Sequence, residues 1–509
     1  MFKRIRKKRI LASVTLWTLL QLIVINVYGQ KMINNWQHMD LNTDSIFGVS
    51  TERAYKSFIK TVKLSPIIVA IIDGGLDTAH QDLKNVLWRN ELEIPNNGKD
   101  DDHNGYVDDI NGWNFLGSSK GSFQYDNLDL VRQLRISINN DKNSLRTKEL
   151  QLQLFSRREY MKVIFKDVSE KRHILLSIIN NIGKKTPTEN DFRNYHYKDY
   201  SEQQMLVYIV RALKTVPDFT VIQKELDAKY QNCIEHLNYL LNLNYDPRSG
   251  KQFKKEKYGN SDVQGSLANH ATHVAGIISG FGKIKLGSKI NDNLKLMILR
   301  AVPTGDYLDS EMANAIRYAV DNGAKVINIS IDKAGVTDRL LIDNAIKYAM
   351  IKDVLIVHAC GNQGKKLEES LFPQKYYQDG GQADGWIEVG ASAMKNDSSL
   401  LYVESNYGER LVDVFAPGFN INSSMPDNKY EYHSGTSMAT PVISGISAIL
   451  RSCYPKLTAA QIKSVILNSV VKVNHQVKTR NGQMVPFSQT CISGGIANLY
   501  YAFRVAALL

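Results

Sequence analysis

Cysteine is scarce in this chain. Four residues in 509 are cysteine, Cys233, Cys360, Cys453 and Cys491, and none falls in a C-x-x-C pair. That spacing excludes the common zinc-binding ribbons and dithiol redox motifs. Cys453 with Cys491 is the only pair to test as a disulfide, and Cys360 reads as a small buried hydrophobe. No basic run is interleaved with aromatic residues. The formal charge of +12 includes six basic residues and no acid before residue 30, so the remainder carries +6. Such a mild, scattered excess excludes a nucleic-acid partner as the expectation. Beyond residue 29 no apolar run is long enough to span a bilayer, and there is no internal repeat or biased tail.

The chain begins with a basic stretch at residues 3–9. An apolar run from Ile10 to Val27 follows, with a small-residue exit at Gly29. This is the layout of a secretory signal peptide over residues 1–29, and it implies a secreted or periplasmic protein. A membrane partner is expected only if that segment is retained. No cysteine follows the run to carry a lipid. Residues 30–65 read as an arm, with Thr51 to Val62 helical, that packs on the main domain through residues such as Trp36, Phe47 and Val49.

The rest has the composition of a soluble globular protein, 43% hydrophobic and 22% charged. Strands are predicted at Ile67–Asp73, Leu294–Val302, Lys325–Ser330, Val354–His358 and Trp386–Gly390. Helices are predicted at Ser310–Asp321, Thr337–Met350 and Thr458–Ser469. The alternation implies an α/β fold, a mostly parallel central sheet with helices on both faces. Sites in such sheets form at the carboxyl ends of strands.

Three stretches carry the chemistry. Ser434-Gly435-Thr436-Ser437-Met438-Ala439-Thr440-Pro441 leads into an apolar helical run, so the Ser437 hydroxyl sits at a helix N-terminus, where negative charge is favoured. Val69-Ala70-Ile71-Ile72-Asp73-Gly74-Gly75 is a buried strand ending in a carboxylate. Asn269-His270-Ala271-Thr272-His273 starts a helix with an imidazole. A nucleophile, a base and an acid are therefore all available.

In these segments, and in Cys360-Gly361-Asn362-Gln363-Gly364, Ser405-Asn406-Tyr407-Gly408 and Val414-Phe415-Ala416-Pro417-Gly418, the chain resembles the subtilisin-like serine peptidases (subtilases). The order Asp, His, Ser is that family's order. The resemblance covers residues 66–117 and 259–505, and the catalytic domain is drawn at 66–117 and 259–509. It implies a three-layer subtilisin-like fold and a serine endopeptidase acting on protein or peptide substrates. Asp73, His270 and Ser437 would form the triad, with Asn362 as oxyanion donor and no cofactor needed for the chemistry. His80 and His273 would be structural. Ser330, Ile331 and Asp332 would line one wall of the substrate channel, and Ala359, Cys360 and Gly361 the facing wall. Asp332 would favour a basic residue before the cleaved bond. The family usually has glycine where Ala271 stands, and we read this as a tuning change.

Asp100, Asp102, Asn104 and Asp108, with Gly105 among them, have the spacing of short oxygen ligands converging on calcium. The pattern is incomplete, because Asn111 stands where a bidentate glutamate belongs, and Asp108 or Asp109 would have to substitute. Residues 118–258 separate the Asp and His segments and read as a helical insertion. Leu154, Met161, Ile164 and Val168 mark one face, Ile174, Leu175, Ile178, Ile179 and Ile182 continue the pattern, and Ile222, Leu226, Tyr230, Cys233, Leu237 and Leu241 mark another. The alternative function is a catalytically silent binding protein on the same scaffold, with the insertion as its partner surface. An esterase is disfavoured, because the Gly-x-Ser-x-Gly elbow is missing.

Overall fold

The computed structural model describes residues 33–118, 121–214, 218–249, 259–265, 268–282, 289–333 and 335–509. The signal peptide expected over residues 1–29 lies outside them. No described helix is long and apolar enough to cross a membrane. Among the described residues the chain divides into two compact units. One is Leu130–Tyr245, and the other joins Ile33–Asp129 to Asp246–Leu509.

The larger unit is built on a sheet of nine strands. In chain order these are β1 (Ile67–Asp73), β2 (Gly112–Asn114), β3 (Leu294–Arg300), β4 (Val326–Ile329), β5 (Leu355–Ala359), β6 (Trp386–Ser392), β7 (Val414–Pro417), β8 (Val471–Lys472) and β9 (Gly495–Ile496). Their spatial order is β8-β9-β7-β6-β5-β4-β1-β3-β2. Every pairing is parallel except β8 with β9. Buried on both faces, the strands are runs of Ile, Val, Leu and Ala rather than alternating patterns.

One face packs on the helices Asp309–Asp321 and Arg339–Ile351. There Ala70, Ile72, Met297, Leu299, Ile327, Ile329, Ile356 and Trp386 join one apolar cluster. The other face receives the helices Asn269–Gly280 and Thr436–Cys453. Because side chains alternate along a strand, Asp73 falls on this second face. The helix Ser437 begins is tied to it by Ser444, whose hydroxyl donates to Asn328 Oδ1 at 2.8 Å.

The arm packs on this unit. Trp36 is fully buried and its Nε1 donates to the carbonyls of Phe419 and Asn420. The helix expected over Thr51–Val62 stops at Ser57 and resumes as a 3₁₀ turn at Ile59–Thr61. Between them Phe58 leaves helical geometry and stacks on Phe503 at 5.4 Å, so tertiary packing overrides local propensity. All four cysteines are free, so Cys453 and Cys491 are not paired. Cys491 turns its thiol toward Ser493 Oγ and the Gly495 carbonyl, while Cys453 closes the Ser437 helix.

The smaller unit is helical. A single 38-residue helix, Leu145–Ile182, carries both of the first two predicted faces, because no glycine or proline interrupts the pattern. Gly183, with φ of 70°, caps it in the left-handed conformation. Phe219–Glu235 runs on into a π-helical turn at His236–Leu240. Leu175, Ile178, Phe192, Met205, Leu206, Ile209, Phe219 and Ile222 form its apolar core. The helix Tyr200–Ala212, which supplies Met205, Leu206 and Ile209, was not singled out by the spacing argument.

Candidate active site

Asp73 closes β1 and is 3% exposed. Its Oδ1 accepts from the Gly74 N–H at 2.7 Å, and its Oδ2 lies 2.7 Å from His270 Nδ1. His270 is the second residue of its helix. A carboxylate only accepts, so Nδ1 carries the hydrogen and Nε2 is left as the basic nitrogen. Burial works to lower the His270 pKa, but the charge and hydrogen bond of Asp73 outweigh it and hold it above the ordinary imidazole value.

Ser437 is the second residue of the helix Thr436–Cys453. Gly435 precedes it with φ of +149° and donates its N–H to the Gly418 carbonyl at 2.8 Å. A Cβ there would stand 3.2 Å from Asn362 Oδ1, in a backbone region that L side chains rarely adopt. Pro441 lacks the N–H that would otherwise bond the Ser437 carbonyl within the helix. The Ser437 hydroxyl donates to the Ser330 carbonyl at 2.8 Å. Asn362 lies just past β5, and its Oδ1 accepts from both the N–H and the hydroxyl of Thr436, at 2.8 and 3.1 Å. With its oxygen committed to Thr436, the amide keeps its NH₂ as a donor beside the start of the Ser437 helix.

Asp73, His270 and Ser437 line one cleft of about 390 Å³, together with Leu116, Gln124, Arg300, Ser330, Ile331 and Asp332 among others. A second cleft, of about 730 Å³, shares Gln124 and Arg300 with it. Sequence reasoning missed Arg300, although a charged residue ending the apolar run Leu296–Leu299 is itself a signal. Its guanidinium donates to the Gly74 carbonyl and to Asp262. Of the expected substrate walls, Ser330, Ile331 and Asp332 face the cleft. Ala359, Cys360 and Gly361 are buried and do not line it. The Cys360 thiol is turned inward, donating to the Asn406 carbonyl at 3.2 Å.

The other histidines have separate surroundings. His273 is fully buried, and its Nε2 bonds the carbonyls of Ile421 and Glu431, both at 3.1 Å. Burial first, then the neighbouring His433 ring stacked at 4.5 Å, push its pKa down to about 3, so it stays neutral. His80 is also buried and accepts the Asp82 N–H in its own turn. Ala271 is fully buried, and the packing accommodates its methyl group.

The acidic loop differs from its expected ligand set. Glu93, Asp100 and Asp102 bring carboxylate oxygens within 4.8 Å of one another. Asp108 is a correction, because its carboxylate turns to the N–H groups of Asn97 and Gly98 at 3.1 and 3.0 Å. Its φ of 54° directs the side chain that way. Asn104 uses its amide on Asp102 and Asp109. Glu93 lies outside the loop spacing, so sequence alone gave no cue to it. One Asp100 oxygen is buried without a hydrogen-bond partner, while other oxygens of the cluster accept backbone N–H groups.

A carboxylate–imidazole pair and a helix-starting serine in one cleft, at the carboxyl end of a parallel sheet, mark the α/β hydrolytic class. The sequence profile of the subtilase family matches residues 65–489. The chain belongs to the subtilase family, a family of serine peptidases. It is 37% identical over 270 residues to the Thermophilic serine proteinase of Bacillus sp. (strain AK1), a stretch covering 52% of this chain and 60% of that relative. It is 32% identical over 221 residues to Subtilisin DY of Bacillus licheniformis, covering 42% and 73%. Subtilisin E of Bacillus subtilis (strain 168) is 32% identical over 201 residues, covering 38% and 49%. The chain therefore spans 49% to 73% of the length of these relatives. Among solved structures it is similar to one from the subtilase cytotoxin SubAB, with a TM-score of 0.40, 25% identity, and 48% and 78% of the two chains covered. The Prenylagaramide maturation protease PagA gives a TM-score of 0.37 and 26% identity over 47% and 82%.

Proposed function

We propose that this chain is an exported serine endopeptidase that cleaves protein or peptide substrates through Asp73, His270 and Ser437, with Asn362 as oxyanion donor. The observation that carries this reading is the 2.7 Å bond from His270 to Asp73 in the same cleft as Ser437. Asp73 fixes the tautomer and stabilises the imidazolium that forms. Ser437 leaves the Ser330 carbonyl by a side-chain rotation and gives its proton to His270 Nε2 as its oxygen attacks the substrate carbonyl. His270 then passes that proton to the leaving amine, and water repeats the sequence on the acyl-enzyme. The Asn362 NH₂ and the Ser437 backbone N–H receive the oxyanion, where fixed donors at a helix start act most strongly. Asp332, on the cleft wall, favours a basic side chain before the cleaved bond. Calcium, if bound by Glu93, Asp100 and Asp102, would bridge the loop as a hard cation and supply stability rather than chemistry.

The test is covalent labelling with a fluorophosphonate probe. Labelling of the wild type that disappears in Ser437→Ala supports the reading. A folded wild type that neither labels nor cleaves any peptide sinks it and favours a silent scaffold. N-terminal sequencing of the protein recovered outside the cytoplasm tests export; a chain that retains residues 1–29 overturns signal cleavage.

A further inference from the structure

Two ionisable side chains lie deep in the sheet, where apolar ones would pack, and the triad uses neither. His358 is the fourth residue of β5 and Glu388 the third of β6, and they are register partners. They are 0% and 3% exposed. A buried charge is costly unless it is paired and hydrogen-bonded, so this pair calls for a reason. Both lie on the face that carries Ile356 and Trp386, opposite the Ser437 helix.

Their bonds run toward the cleft. His358 Nδ1 lies 2.9 Å from Glu388 Oε1, and Nε2 lies 3.0 Å from the Ile331 carbonyl. The other Glu388 oxygen accepts from Trp386 Nε1 at 2.8 Å. A carboxylate and a carbonyl both only accept, so both ring nitrogens carry hydrogen and the ring is an imidazolium. Ile331 is flanked by Ser330, whose carbonyl holds the Ser437 hydroxyl, and by Asp332; all three line the cleft.

The charges around Asp332 can be counted. His358 and Lys365 oppose the negative charges of Glu388 and Asp332. Burial raises the Asp332 pKa and Glu388 adds to that, while His358, a Gln363 hydrogen bond and Lys365 oppose it. The adjacent Lys333 is already committed, lying 2.6 Å from Asp309 and 3.2 Å from Asp129. Asp413, with Lys375 at 3.1 Å, meets the Glu388 backbone: its Oδ2 accepts the Glu388 N–H and its own N–H donates to the Glu388 carbonyl.

The geometry points to His358, oriented by Glu388, as a positioning residue that anchors the Ile331 carbonyl from behind and fixes the Ser330–Asp332 segment at the cleft wall, so that the Asp332 carboxylate selects lysine or arginine before the cleaved bond. This rests on the peptidase reading and adds a selection mechanism to it. Peptides differing only in that residue (Lys, Arg, Leu or Glu) measure it as a ratio of kcat/KM values, in which general damage to the enzyme cancels. The wild type is expected to prefer Lys and Arg over Leu by about tenfold or more, as a close charge pair provides. His358→Gln and Glu388→Gln each collapse that ratio, and so does Asp332→Asn. His358→Gln combined with Asp332→Asn loses no more than Asp332→Asn alone, because the two act as one unit.

A ratio unchanged in His358→Gln and Glu388→Gln but lost in Asp332→Asn overturns the positioning role. A wild type that cleaves peptides without basic preference overturns the inference and leaves the peptidase reading standing. Loss of all cleavage and labelling in the wild type strikes that reading itself. Should the buried variants fail to fold, ¹⁵N-histidine NMR of the intact protein decides. Two protonated nitrogens on His358 at neutral pH support the pair, and a singly protonated ring overturns it.

Discussion

The two units fill their interiors in opposite ways. The sheet unit buries Asp73, His273, Asn328, His358, Lys375, Glu388 and Asp413 among its Ile, Val and Ala side chains. The helical unit fills its core with Leu, Ile, Phe and Met, and leaves pairs such as Lys162–Glu159, Lys171–Asp167 and Lys229–Glu225 on its exposed surface. Such exposed pairs contribute about 0–1 kcal/mol each. Buried polar groups destabilise a core unless every one is bonded. Their concentration in one unit is therefore a guide to where chemistry is done. The helical unit has the make-up of a packed support.

That contrast can be broken or sharpened by experiment. Ser437→Ala should lower kcat by about 10⁶-fold, the scale known for a subtilisin nucleophile, with little change in Tm. Retention of more than a trace of turnover would move the nucleophile elsewhere. Asp73→Asn should cost about 10⁴-fold through loss of the correct tautomer. It should also shift the acid side of the kcat/KM profile. In the proposed mechanism His270 acts as the neutral base, and Asp73 raises its pKa, so the wild-type rise should lie above the ordinary imidazole value of about 6.5. Removing the carboxylate moves that rise to lower pH. The same pair adds stability that is complete below the unfolded imidazole pKa and fades as pH climbs through the folded one.

Asn362→Ala should reduce kcat by about 100- to 1000-fold, the range known for such an amide in a subtilisin, with KM little changed. In the helical unit the readout reverses. Ile178 is fully buried, and Ile178→Ala should destabilise that unit by about 2–5 kcal/mol, seen in its denaturant midpoint, while short-peptide cleavage is unchanged. A fall in short-peptide kcat/KM would give the helical unit a share in the chemistry. Smallest is the metal effect: chelation should lower the Tm of the sheet unit by about 2–4 °C for each kcal/mol lost and leave the helical unit unmoved. An unchanged Tm in chelator and in Asp102→Ala would remove calcium from the loop.

Five of the nine sheet strands were legible to within about two residues because buried parallel strands are apolar runs between glycine and charged breaks, while the other four, of two to four residues, carry too little pattern. The places of Asp73, His270, Asn362 and Ser437 in the fold were legible because each sits just past such a run or at a helix start. Glu93 was hidden, since it joins Asp100 and Asp102 only when the chain folds back. Asp108 misled, because regular spacing does not record the φ of 54° that turns its side chain away. Whether Cys453 meets Cys491 was not legible, since nothing in their separation says which way a thiol points. His358 and Glu388 stood out in principle, as single polar residues inside apolar strands, but their partnership depends on strand order.

Periodicity, helix-start chemistry and motif order by themselves determined the layered sheet, the family and the residues able to move a proton. These are local properties, written in neighbouring side chains. Only the tertiary structure decided which carboxylates meet, which walls face the cleft and which buried histidine meets a carboxylate. Those depend on strand register and on hydrogen bonds between residues 30 to nearly 200 positions apart, and sequence spacing carries no record of that proximity.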